Sequence, residues 1–155
     1  MDLIQILQPE AVKVVTSASS KKRLLHTLAD MSADIYGLDP AKAVAALLER
    51  ETLGPTAVGN GVALPHARLD EVDHVVGCFM RLEKPVDFDA VDRQPVDLIF
   101  ALFAPTAAGV DHLKALAAVS RTLRNPTICA KLRSNSKPAS LHAVLTEMPA
   151  SSAVA

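Results

Sequence analysis

A chain of 155 residues is the size of one ordinary domain, and with 50% apolar and 21% charged residues it buries a real core and is not disordered. Aromatics at 3% and the absence of Trp leave an aliphatic core and exclude broad stacking platforms for single-stranded nucleic acid. Sixteen Lys and Arg against seventeen Asp and Glu remove the electrostatic footprint of a nucleic-acid binder.

In chain order, Ala11–Val15 is short, β-branched and alternating, and reads as a strand. Ser17 to Ser20 offer N-caps for a helix to about Tyr36, on which Leu24, Leu28, Met31 and Ile35 form one stripe. Gly37 closes it. Asp39 and Pro40 start a second helix that ends near Glu51. Leu53–Gly61 reads as a loop holding three of the six glycines, and a short apolar run leads from Val62 to Pro65 and His66. His74–Leu82 and Val96–Phe103 are strong strands, the second apolar enough to be buried on both faces. Val110–Arg124 is helical, with Val110, Leu113, Ala117 and Ser120 on one stripe and Leu116, Val119 and Leu123 beside it. A short helix follows Pro126, and a last one spans roughly Pro138–Glu147. This order implies an α/β or α+β sandwich with helices covering a central sheet. Residues 1–148 are expected as the domain and 149–155 as a loose tail.

The start, MDLIQILQPE, carries an acid and no basic segment, so it does not read as a secretory signal. No apolar run reaches the length of a membrane span, and a cytoplasmic protein without direct membrane insertion is expected. Cys78 and Cys129 lie in apolar contexts and read as buried thiols, not as part of a zinc or redox motif.

Five histidines carry the chemistry that works near neutral pH. His26 and His142 read as solvent-facing on their helices, and His74 as a structural residue starting a strand. His66 follows Pro65, whose fixed φ makes a stiff Leu-Pro-His corner able to aim an imidazole; an ordinary loop histidine is the competing reading. His112 sits in the first turn of a helix, where free N–H groups favour an anion, and in register with Leu116, Val119 and Leu123; the alternative is a boundary histidine. Arg50 ends the second helix, and its forked donors match phosphate oxygens; the alternative is a simple helix-end charge. Together they suggest phosphoryl chemistry on an imidazole. His66 would be the nucleophile, with His112 and Arg50 offsetting charge. No Walker motif is present, so phosphate would come from a phosphorylated protein. A metal hydrolase using His66, His112 and Asp111 is the rival enzyme class, but no His-x-x-x-His helix pair supports zinc. No cofactor or metal is expected.

The run Arg50-Glu51-Thr52-Leu53-Gly54-Pro55-Thr56-Ala57-Val58-Gly59-Asn60-Gly61-Val62-Ala63-Leu64-Pro65-His66 resembles the active-site signature of fructose/mannitol-type enzyme IIA domains of the phosphotransferase system. The stretches Phe88–Leu102, His112–Leu116 and Thr127–Arg133 extend the likeness over about Leu3 to Glu147, most like the nitrogen-regulatory enzyme IIA-Ntr. The resemblance implies an α/β sandwich around a mixed sheet, and a phosphoryl group accepted on Nε2 of His66 from an HPr-like carrier of the NPr type. It implies support from His112, stabilisation by Arg50, a position for Thr56 beside the site, and Arg68 as a charge for donor docking. Nδ1 of His66 is expected to be protonated and held by a backbone carbonyl. The partners implied are the carrier and regulated proteins such as transporters or sensor kinases; one domain on its own favours regulation over passing phosphate to a sugar-specific IIB component. Two departures stand out. Ala67 replaces a common Gly, so positive φ is not expected there, and Asp111 adds a carboxylate beside His112.

Overall fold

The computed structural model describes residues 1–147; the tail expected at 149–155 lies outside the described residues. Val96–Ala104 (strand β6) organises the sheet, because every residue but Asp97 is buried. Antiparallel to it runs Val76–Val86 (β5), and parallel to β5 runs Leu7–Val15 (β1). The strand expected at Ala11–Val15 thus begins four residues earlier. β1 is a sheet edge with an irregular register between Leu7 and Val12, and such an edge tolerates Pro9.

The other side of β6 holds a strand in two pieces. Val62–Ala63 (β3) pairs with Leu98 and Ile99; His66–Arg68 (β4) pairs with Leu102, Phe103 and Ala104, in the same parallel register. The interruption is Leu64-Pro65, and Pro65 has no N–H to give a ladder. Ala57–Gly59 (β2) folds back on β3 through Asn60-Gly61, both with positive φ. That is the geometry of a two-residue hairpin, and Asn-Gly is its usual chemistry. The expected loop Leu53–Gly61 therefore contains a strand and a turn. Asp92 accepts from Asn60 N at 2.9 Å, and Arg133 Nη2 donates to Asn60 O at 2.8 Å while its other contacts grip Asp97.

Lys21–Tyr36 (α1) starts on Ser20, whose hydroxyl accepts from Arg23 N, and stops on left-handed Gly37. Pro40–Thr52 (α2) is capped by Asp39. Val110–Leu123 (α3), Pro126–Arg133 (α4) and Pro138–Thr146 (α5) follow. Side chains of a strand alternate between faces: Cys78 meets Ser32 of α1, whereas Arg81 reaches Asn135 between α4 and α5. The result is a single-domain α/β sandwich, a mixed six-stranded sheet with helices on both faces. Phe79 and Phe100 meet across β5 and β6 with ring centroids 6.2 Å apart. Among the described residues no helix is long and apolar enough to cross a membrane.

Several expectations need correcting. On α3 the stripe Val110, Leu113, Ala117 faces solvent; the inward face is His112, Ala115, Ala118, Val119 and Leu123. Small alanines let α3 lie close to its neighbours, so hydrophobicity alone misplaces the face. His142 is half-buried and its Nε2 bonds Leu7 O at 2.9 Å, tying α5 to β1. His26 is half-buried because it flanks Leu25 and lies one turn before Ala29, both buried. His74 precedes β5 in an exposed bend and pairs with Asp73. Cys78 and Cys129 are free and buried; burial pushes the Cys78 thiol up to about 11.

Candidate active site

The broken strand aims His66. Alternation along β4 sends His66 to the α3 face and Ala67 to the opposite one, and Ala67 needs no positive φ. His66 Nδ1 lies 2.8 Å from Leu64 O. A carbonyl only accepts, so Nδ1 carries the proton and Nε2 keeps its lone pair. This is the tautomer expected from the sequence. Leu64 is itself held, its N–H donating to Thr56 O at 3.0 Å.

His112 meets His66 edge to face, ring centroids 5.5 Å apart at 74°. It is only 5% exposed, and its Nδ1 is buried without a partner. An unpaired N–H is costly to bury and burial disfavours the charged ring, which favours a neutral ring with its proton on Nε2. Burial lowers the pKa of both histidines. For His66 the bond to Leu64 opposes this, Arg50 adds to it and Glu51 opposes it; for His112 the charges of His66 and Arg68 add to it. Asp111 does not act on either: it is exposed and lines a separate cleft with Asp73, His74 and Lys114. Among the described residues no three His, Cys, Asp or Glu side chains are grouped to hold a metal ion.

Arg50, Arg68, His66 and His112 line one open cleft of about 530 Å3, with Glu49, Leu53, Leu113 and Leu116 among its walls. Arg50 Nη1 donates to Gly54 O at 3.0 Å, and Arg68 Nη1 to Thr106 O at 3.1 Å. The rim is apolar and open to solvent: Leu53 is 81% exposed and Leu113 64%. Thr56 is not in the wall. It is buried behind the cleft, where its N–H and hydroxyl both donate to Glu51. Sequence reasoning passes over Glu51, a carboxylate in the last turn of α2 beside Arg50. The arrangement pairs an unprotonated ring nitrogen with two guanidinium groups and a second imidazole N–H donor, which suits a nucleophile attacking a polyanion.

Known proteins share this sequence pattern and fold. The family described as phosphoenolpyruvate-dependent sugar phosphotransferase system, EIIA 2, matches residues 5–148. A nitrogen regulatory protein of Bradyrhizobium diazoefficiens is 43% identical over 153 residues, 99% of this chain and 100% of that one. A fructose-specific EIIA component of Haloferax volcanii is 34% identical, covering 95% of this chain and 96% of its own length. The crystal structure of nitrogen regulatory protein IIA-Ntr from Neisseria meningitidis superposes with a TM-score of 0.85 at 36% identity, covering 93% of this chain and 99% of that one. The matched span takes in Arg50, His66 and His112 together with the whole sheet, and the chain belongs to the EIIA 2 family of phosphotransferase-system components.

Proposed function

We propose that this chain takes a phosphoryl group on Nε2 of His66 from the phosphohistidine of an HPr-like carrier of the NPr type, and acts as a nitrogen or metabolic regulator through phosphorylation-dependent binding of partners. The observation that carries the reading is the Nδ1–H bond to Leu64 O at 2.8 Å, which leaves Nε2 as the free lone pair. In the transfer the donor's P–N bond breaks and a new one forms to Nε2. The donor ring, protonated on its other nitrogen, leaves neutral, and the His66 ring gains the positive charge that the Leu64 carbonyl stabilises through Nδ1–H. Arg50 and the Nε2–H of His112 hold the oxygens of the transferring group; this is catalysis by positioning and electrostatics. No proton need enter or leave the cleft.

The exposed Leu53 and Leu113 beside Arg68 give an apolar rim with a positive charge, suited to a carrier that docks transiently. Once formed, the phosphoryl group brings about −1.5 to −2 charges to this rim, enough for a cytoplasmic partner to distinguish the two forms. The similarity to nitrogen regulatory proteins supports the regulatory output.

The test is incubation with an HPr-like carrier, its enzyme I and phosphoenolpyruvate, read by intact mass. One acid-labile phosphate on the wild type and none on His66→Ala is the expected result. A phosphate retained by His66→Ala overturns the assignment, and onward transfer to a sugar-specific IIB protein replaces regulation with sugar uptake.

A further inference from the structure

Glu51 lies behind the cleft with its side chain only 6% exposed, yet it is a carboxylate. It gathers three donors. Lys21 Nζ lies 2.7 Å from Oε2, Thr56 N lies 3.2 and 3.3 Å from the two oxygens, and the Thr56 hydroxyl donates to Oε1. A buried charge persists only when it is paired and hydrogen-bonded like this. Lys21 is itself placed against local preference. The first turn of α1 carries Lys21, Lys22 and Arg23 and no acid, the wrong sign for a helix N-terminus. Lys22 and Arg23 are exposed; Lys21 turns inward to Glu51 and lies 4.7 Å from the Phe88 ring centroid.

Two carbonyls orient the site, and both connect to this anchored Thr56. Its own carbonyl takes the N–H of Leu64, and the Leu64 carbonyl takes Nδ1–H of His66. On the other side, one stiff Pro55 separates Thr56 from Gly54, whose carbonyl takes Arg50 Nη1. We infer that Glu51, clamped by Lys21 and Thr56, is the positioning residue of this site: it holds the one segment from which both the His66 imidazole and the Arg50 guanidinium are oriented. Glu51 touches no reacting atom. The charges of Arg50 and Glu51 act on His66 in opposite directions, and Glu49, Arg68 and His112 complete the ionisable groups around the cleft.

The test begins on the unphosphorylated protein, where it does not depend on the proposed reaction. Nitrogen-15 spectra of the His66 ring report which nitrogen carries the proton. The wild type is expected to hold it on Nδ1. Thr56→Val removes the hydroxyl and should raise the minor Nε2–H tautomer by roughly threefold or more, as loss of one hydrogen bond implies, while Thr56→Ser should match the wild type. Glu51→Gln keeps the size of the side chain but leaves one good acceptor for two Thr56 donors, and should shift the tautomer in the same direction; it decides the matter if Thr56→Val does not fold. An unshifted His66 spectrum in these variants overturns the inference. The second measurement rests on the phosphoryl-acceptor reading: the acceptance rate should fall by about tenfold in Thr56→Val and recover in Thr56→Ser. Unphosphorylated wild type together with the expected tautomer shifts would refute that reading and leave the positioning role standing.

Discussion

Arg50→Ala should move the phosphoryl equilibrium between this protein and its carrier toward the carrier. Arg50 is half-buried in the last turn of α2. One of its N–H groups is taken by Gly54 O, and a guanidinium has five, so donors remain for phosphoryl oxygens. A hydrogen bond to a charged group contributes about 1.5–3 kcal/mol, and partial exposure to water reduces that to about 1–2 kcal/mol. The equilibrium constant then falls by roughly five- to thirtyfold. The free protein loses much less: one partly exposed bond to Gly54 and a helix-end charge, about 0.5–1 kcal/mol. The assay mixes the variant with a limiting amount of phosphorylated carrier and reads the partition of phosphate by intact mass. Urea unfolding of the unphosphorylated variant runs beside it. An unchanged partition with a loss of stability would refute the reasoning and leave Arg50 as a helix-end charge.

Two further outcomes follow from the geometry. A Cβ on Gly61 would lie 2.6 Å from Arg133 Nη2 and 2.9 Å from Asp97 Oδ1, at φ +79; left-handed backbone costs about 1–2 kcal/mol and disruption of the ion pair adds to it, so Gly61→Ala should lose about 2–4 kcal/mol in urea unfolding, and a loss under about 0.5 kcal/mol would mean the hairpin relaxes freely. His66 and His112 both have folded pKa values below 6.5, so the unfolded chain binds protons first as pH falls; the stability they contribute is complete above about 6.5 and is lost below it. The urea midpoint should therefore drop between about pH 7.5 and about pH 5, by less in His112→Gln than in the wild type; equal drops would place His112 outside this linkage. That window lies above the range where Asp73 and Asp92 titrate, since hydrogen bonds hold both below the usual carboxylate value.

Much of this was legible because local chemistry and global fold agree. Ser20, Gly37, Asp39 and Pro40 mark helix ends by hydrogen bonding and φ alone, and the structure uses them so. The apolar density of β6 announces burial on both faces. What the sequence concealed depends on contacts distant in the chain. β3 and β4 are too short to show a period, and exist as strands only because β6 offers a parallel edge. His142 looks solvent-facing on its own helix and is recruited by a carbonyl on β1, 135 residues away. Within the site, Arg50, His66 and His112 were readable as chemistry-bearing types at helix and loop ends. Glu51 was not, because a Glu late in a helix is ordinarily solvated; only the arrival of Lys21 and Thr56 makes it a buried anchor.

The break between β3 and β4 is a single missing bond at the proline before His66. In this parallel ladder alternate residues face β6: the Gly61 and Pro65 carbonyls accept from Leu98 and Leu102 and the Leu69 amide donates to Ala104, so the Leu64 amide and carbonyl point to the opposite side. Pro65 withholds its own N–H but gives its carbonyl to Leu102 N at 2.9 Å, so the strand rejoins β6 at His66 without losing register. On the side away from β6 the Leu64 amide goes to Thr56 and its carbonyl to the imidazole. One missing ladder step costs roughly the net worth of a backbone hydrogen bond, about 1 kcal/mol. Past that step the register holds, and His66 has its tautomer set by covalent proximity, two residues from its acceptor, on a strand paired with the central β6. A flexible loop would hold the same residues at a larger entropic cost to order them; the interrupted strand supplies the order with the sheet itself.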